Sequence, residues 1–229
     1  MADTSGLVIP SLLAGQPVRG FFTTKALNGD LKAVARILSL PSSHIFLPVQ
    51  KHTDRVIVVD HDLEPRVADA VVTNRAGILV GVQVADCVPL LLYDRKRHAV
   101  GAVHAGWRGT GAGILKNTVA VMAERFRSDP SDILVAVGPS IKGCCYEVGH
   151  EVVEAVRRAS GEGEYYWKKG EKHHIDLPAA NRLQALSLGI PPENIGVSGE
   201  CTFCLPHKYY SYRFGKGATG RQCGFIGIV

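Results

Sequence analysis

The stretch VADCVPLLLYDRKRHAVGAVHAGWRGTGAGILKNTVAVMAERF, residues 84–126, decides how this chain is read. Val88–Tyr93 and Ala99–His104 are short runs rich in β-branched and aliphatic residues, separated by Asp94 and three basic residues, and read as two strands joined by a turn. After Thr110 the period changes: Leu115, Val119, Met122 and Phe126 recur at spacings of four, three and four, one apolar stripe of a helix. Between strand and helix lies a glycine-rich turn, Gly106–Gly113, carrying Trp107, Arg108 and Thr110.

Working upstream, Arg55–Val59, Ala70–Thr73 and Ile78–Ala85 are further strand runs. Their close spacing favours antiparallel or mixed pairing over a strict strand–helix alternation. Downstream, Ile133–Val137 reads as a buried strand and Val152, Val153 and Val156 mark a short helix. Asp176 caps a helix with Ala179, Leu183 and Leu186 on one face. Ile195–Ser198, Tyr209–Arg213 and Gly224–Val229 read as the last strands. The expected fold class is α/β of the mixed α+β kind, with layered mixed sheets flanked by helices. With no repeat and no Pro/Gly/Ser-rich linker, residues 1–229 read as a single domain in which residues 1–19 form a peripheral N-terminal segment.

Composition limits the function classes. Apolar residues make up 46% and charged residues 21% of 229, an ordinary globular balance that excludes a disordered, collagen-like or coiled-coil chain. Lys and Arg number 26 against 21 Asp and Glu, a net charge of +5, and they are scattered. A nucleic-acid partner would require clustering, so the surplus suits a small anion. The longest apolar stretch, Ala76–Tyr93, contains Gln83, Asp86 and Pro89 and is rejected as a membrane span. The N-terminus is acidic where a signal peptide is basic, so a cytoplasmic protein is expected. Six cysteines are too sparse for a disulfide scaffold.

Three residues at strand ends stand out: His52, Cys87 and His104. Two imidazoles and one thiolate match an open catalytic zinc site that keeps a fourth position for water. The same types allow a metal-free arrangement, with Cys87 as nucleophile and His104 as its base, and Cys87 alone could be a small buried apolar side chain. Arg108, with the backbone amides of the glycine-rich turn, could hold a phosphate. Asp86 could orient water or a ligand beside a metal, or cap the local backbone. Cys144–Cys145 and the pair Cys201, Cys204 could make a four-thiolate site, but adjacent ligands are awkward and the set reads as ordinary thiols. His173–His174 reads as solvated, and Tyr209, Tyr210 and Tyr212 as a half-buried strand.

Taken in order, QKHTDRV (50–56), ADAVVT (68–73), ADCVPLLLYD (85–94), VHAGWRGTGAG (103–113), GPSIKGCCYEVG (138–149) and YYSYRFGKGATGRQ (209–222) resemble the YfiH family. It is also called the polyphenol oxidase, laccase-domain or purine nucleoside phosphorylase family, and the resemblance runs from about Gly20 to the C-terminus. It implies layered sheets distantly like the cysteine-hydrolase domain of a cytotoxic necrotising factor, and zinc held by His52, Cys87 and His104. The implied reactions are phosphorolysis of adenosine, inosine, guanosine and methylthioadenosine, and deamination of adenosine, by a monomer or weak homo-oligomer. The expected partners are a purine nucleoside and phosphate, not nucleic acid or membrane. Asp86 and Cys87 are the expected catalytic residues, and Lys25, Gln50, Arg108, Thr110 and Arg213 the expected substrate contacts.

The runner-up is a Cys/His hydrolase or amidase acting on a peptidoglycan precursor, a substrate linked to a related bacterial member. A copper-dependent polyphenol oxidase ranks third: a His/Cys triad can bind copper, but the sequence has none of the His-x-His pairs of multicopper oxidases. Three positions depart from the family pattern. Thr53 replaces a glycine, Lys25 an arginine, and Phe214 the second arginine of the Ser-Tyr-Arg-Arg motif. Lys25 keeps charge without the bidentate fork, and Phe214 loses the charge.

Overall fold

The computed structural model describes residues 6–228. The chain runs through strands β1 (Leu7–Val8) and β2 (Val18–Thr23), helix α1 (Leu31–Leu38), and strands β3 (Ile45–Phe46), β4 (Val56–Val58), β5 (Ala70–Thr73), β6 (Leu79–Val84), β7 (Val88–Asp94) and β8 (Ala99–Ala105). Helices α2 (Trp107–Gly111) and α3 (Ile114–Phe126) follow. The remainder is β9 (Ile133–Val137), β10 (Glu147–Val148), α4 (His150–Ser160), β11 (Tyr166–Lys169), β12 (Lys172–Ile175), α5 (Leu177–Ser187), β13 (Ile195–Val197) and β14 (Gln222–Ile228).

Two mixed sheets form the centre. One has the order β1-β2-β14-β6-β3, the other β13-β9-β7-β8-β5-β4, and a small third sheet, β10-β12-β11, stands apart. Strand periodicity explains the layering, because successive side chains point to opposite faces. From β7, Leu91 and Tyr93 meet Val100 and Ala102 of β8 and Phe22, Val80 and Ile226 of the other sheet, forming the core between the sheets. Leu90 and Leu92 face the other way, onto Leu115, Val119 and Met122 of α3 and Val156 of α4. Phe21, Leu79 and Phe225 form the outer face of the five-stranded sheet and pack with Val34 of α1. The order is helix, sheet, sheet, helices, the mixed architecture expected. Strands covered on both faces read as unbroken apolar runs, and all seven residues of β7 are buried.

The helices begin where their sequence says. The Asp176 carboxylate accepts the Ala179 N–H at 2.9 Å at the start of α5, and that of Asp30 accepts two amides at the start of α1.

Several expectations are corrected. The segment 209–213 is not a strand but a chain of turns, because Ser211 and Arg213 bend toward Asp86 to hydrogen-bond its carboxylate. His173–His174 belongs to β12, and His174 is buried, stacked on Trp167 at 6.0 Å. The glycine-rich turn is itself helical, forming α2, and breaks at Gly113, whose φ of +77° suits glycine. The N-terminal segment is not wholly peripheral: Leu13 is buried between the sheets and Leu7–Val8 pairs with β2. Residues 1–5 and 229 lie outside the described residues. Among the described residues no helix is long and apolar enough to cross a membrane.

Leu91→Ala removes a fully buried side chain from between the sheets. The variant is expected to lose about 2–5 kcal/mol of stability, read as a lowered urea midpoint with an unchanged slope.

Candidate metal centre and its cavity

The site forms where the chain leaves one sheet for the other. β6 belongs to the five-stranded sheet and β7 to the six-stranded one, so Ala85–Asp86–Cys87 is a crossover. Asp86 takes φ +84° there, a left-handed conformation that costs energy for a residue with a side chain. The kink turns Cys87 to the mouth of the sheets. His104 comes from the end of β8, paired with Pro89, and His52 from the loop before β4, itself at φ +59°.

The three side chains converge, with one ligand atom from each within 4.8 Å of the others. Cys87 Sγ lies 3.9 Å from His52 Nε2, and the histidine rings meet edge to face at 4.8 Å. Gly106 makes room for them: a Cβ there would sit 3.0 Å from Cys87 Sγ and 3.2 Å from the His52 ring.

Behind the triad is Asp69, fully buried. Its Oδ1 accepts from His104 Nδ1 at 2.8 Å and from the His52 amide at 3.0 Å. Its Oδ2 accepts the amides of Lys51 and Thr53 and the Thr53 hydroxyl at 2.7 Å. The Thr53 side chain therefore adds a donor to those of the backbone. Burial works against ionisation of Asp69, but the bonds from His104 and Thr53 prevail and hold the carboxyl well below its usual range. With Nδ1 committed to Asp69, His104 has Nε2 left for the site. Burial alone would raise the Cys87 thiol, yet hydrogen bonding from His104 and His52 brings it down to about 6. Burial opposes the charge on His104, which Asp69 and Cys87 push up to about 9.

The donor set fits a metal: two imidazoles, a thiol readily ionised, and a carboxylate orienting one histidine from behind. The triad opens on a cavity of about 710 Å³, within the range of small-molecule sites. Trp107, Tyr146 and Tyr212 supply aromatic walls, and Arg108, Arg213 and Arg221 positive charge. Arg108 stacks on Trp107 at 4.3 Å and Arg213 lies over Tyr146 at 5.2 Å. Burial pushes the Tyr146 phenol up to about 12, so it is a hydrogen-bond donor at neutral pH.

The other expected residues divide. Gln50 lines the cavity, but its amide is bound to the Gln83 backbone at 2.7 and 2.8 Å. Asp86 lines it too, although its oxygens accept from the hydroxyls of Thr202 and Ser211 and the Arg213 amide. That binding makes Asp86 a tether for the 199–214 loop, with one lone pair left on Oδ1. Lys25 is outside the cavity wall, its ammonium on the Pro206 carbonyl at 2.5 Å and over the Tyr210 ring. Thr110 is also outside, fully buried against Asn181, because α2 turns it toward α5. Asp69 and Arg221 were not singled out in the sequence. The signal for Asp69 is a carboxylate heading an apolar strand, which can be buried only with partners.

Residues 23–229 match the model of the multi-copper polyphenol oxidoreductase laccase family. The chain belongs to that family. A purine nucleoside phosphorylase, YlmD of Geobacillus stearothermophilus, is 41% identical over 162 residues, a match spanning 69% of this chain but only 59% of that relative. The adenosine deaminase RL5, from an unknown prokaryotic organism, is 38% identical over 208 residues, covering 85% of this chain and 78% of RL5. The crystal structure of the YfiH protein of Bacillus licheniformis superposes with a TM-score of 0.87 at 30% identity, covering 93% of each chain. The YfiH-like resemblance and the layered fold are thereby shown.

In chelator-treated, reduced protein, alkylation of Cys87 is expected to accelerate as pH rises through about 6, since the thiolate is the nucleophile. Asp69→Asn should shift that midpoint upward by weakening the hold on protonated His104. An unshifted midpoint would separate Asp69 from the thiol.

Proposed function

We propose that this chain is a zinc-dependent purine nucleoside enzyme, splitting nucleosides with phosphate and deaminating adenosine. The observation carrying this reading is the convergence of His52, Cys87 and His104 at one cavity with three arginines and three aromatic rings. The names of the two relatives support the same substrate class.

His52, Cys87 and His104 would hold the ion, with Asp69 fixing the His104 ring. Bound there, zinc supplies Lewis acidity, the means of making water nucleophilic at neutral pH. The chain's residues do the rest. A purine stacks against Tyr212 and Trp107, and the Tyr146 hydroxyl donates to a ring nitrogen or ribose oxygen. Arg108, Arg213 and Arg221 hold phosphate so that one of its oxygens faces ribose C1′. In phosphorolysis the C1′–N9 bond breaks as C1′–O forms, giving ribose 1-phosphate and the base, whose nitrogen takes a proton. In deamination water replaces the amino group at C6 and ammonia leaves. We assign the whole chain to one domain.

A second reading has its own observation. Cys87 lowered to about 6, beside His104 oriented by Asp69, is also the arrangement of a cysteine hydrolase or amidase. Removing the metal separates the two. Adenosine with phosphate should yield adenine and ribose 1-phosphate, and without phosphate inosine and ammonia. Both activities should vanish on chelation and return with zinc. Undiminished turnover in verified metal-free protein would defeat the zinc reading and favour the cysteine one.

Arg108→Ala should raise the phosphate KM about tenfold or more while zinc content stays unchanged. An unaltered phosphate dependence would remove Arg108 from the anion site.

A further inference from the structure

A second cluster of chemistry lies apart from the triad. Cys144 and Cys145 follow the Gly143 turn, where the Cys145 N–H donates to the Lys142 carbonyl at 2.9 Å. Cys201 and Cys204 belong to the CTFC segment after β13. In a regular strand adjacent side chains diverge; in this turn they do not. Cys144 Sγ lies 3.5 Å from that of Cys145 and 3.9 Å from that of Cys204, while Cys145 and Cys204 are 3.3 Å apart. All four sulfurs, Cys201 included, lie within 4.8 Å of one another.

A tetrahedron of sulfurs about 2.3 Å from a central zinc has edges of about 3.8 Å, and these separations bracket that length. They are far longer than the ~2.05 Å of a disulfide. The backbone adds a donor to the cluster: the Lys142 amide donates to the Cys201 Sγ at 3.5 Å.

We propose that Cys144, Cys145, Cys201 and Cys204 form a structural site for a thiophilic divalent cation of the zinc class. Four thiolates leave no open position for water or substrate, so the site is closed and not catalytic. Its role follows from what it joins. Tyr146, next to Cys145, and Tyr212 and Arg213, beyond Cys204, all line the cavity. The two segments already meet through the Ser140–Cys201 bridge and the Thr202 amide on the Ser140 carbonyl at 3.1 Å. A metal there clamps together the loops that make one wall of the pocket. This assignment does not depend on the reading of the triad.

The test is zinc content after purification under reducing conditions with zinc supplied. The parent should hold about two ions per chain, Cys87→Ser about one, Cys204→Ala about one, and the double variant none. A Cys87→Ser protein without zinc would overturn the proposal, as would copper(I) in place of zinc or a Cys145–Cys204 disulfide. Loss of the triad's ion alone would show instead as a parent holding one ion that Cys87→Ser retains. Should Cys204→Ala fail to fold, alkylation of the parent decides. Cys144 and Cys204 are exposed, so their reaction should be slowed at least about tenfold until a chelator is added. Equal rates with and without chelator would also overturn the proposal.

Discussion

An ionised carboxylate with no exposure to water is the constraint on which the site rests. Asp69 heads β5, where both neighbouring sheet faces are covered, and desolvating its charge costs several kcal/mol unless every lone pair is used. The fold meets that demand by wrapping Lys51, His52 and Thr53 around it and turning His104 Nδ1 onto it. The same contacts therefore fix the loop that carries His52, the tautomer of His104 and the distance between them. The Thr53 hydroxyl strengthens that hold.

The crossover at residues 85–87 does comparable work for the other side of the cavity. Strain at Asp86 is held in place because its carboxylate ties down Thr202, Ser211 and Arg213. Those contacts bring a segment more than a hundred residues away against the triad. The cavity wall is thus built by two buried carboxylates acting on backbone, hydroxyl and imidazole donors, while Arg108 stacks on Trp107 and Arg213 and Arg221 each donate to backbone carbonyls beside the cavity. The four-cysteine clamp would reinforce the same wall from outside.

Much of this was legible in the residues. Strands β5, β7, β8 and β9 follow from apolar runs bounded by turn residues, and α3 and α5 from their stripes and from the Asp176 cap. The members of the triad stood out by residue type, although His52 lies in the loop before β4 and not at a strand end. The β11–β12 hairpin was not: its exposed face is polar, and the stacking of Trp167 on His174 leaves no trace in local period. Nor was the turn structure of residues 209–213, where alternating tyrosines imitate a strand while tertiary bonds to Asp86 and Glu200 bend the chain.

The layered fold class follows from local patterning, because a side chain's choice of face follows from the period of its own strand or helix. Residue chemistry likewise marked His52, Cys87 and His104 as side chains of metal-binding type, with a metal-free reading open beside it. Which residues share a cavity emerged from long-range packing alone. Lys25 and Thr110 lie outside it, Arg221 and Tyr146 inside, and four cysteines from two distant loops fall together. Those outcomes depend on where the chain changes sheet and on which buried charge draws loops inward, and neither quantity is a property of any local stretch.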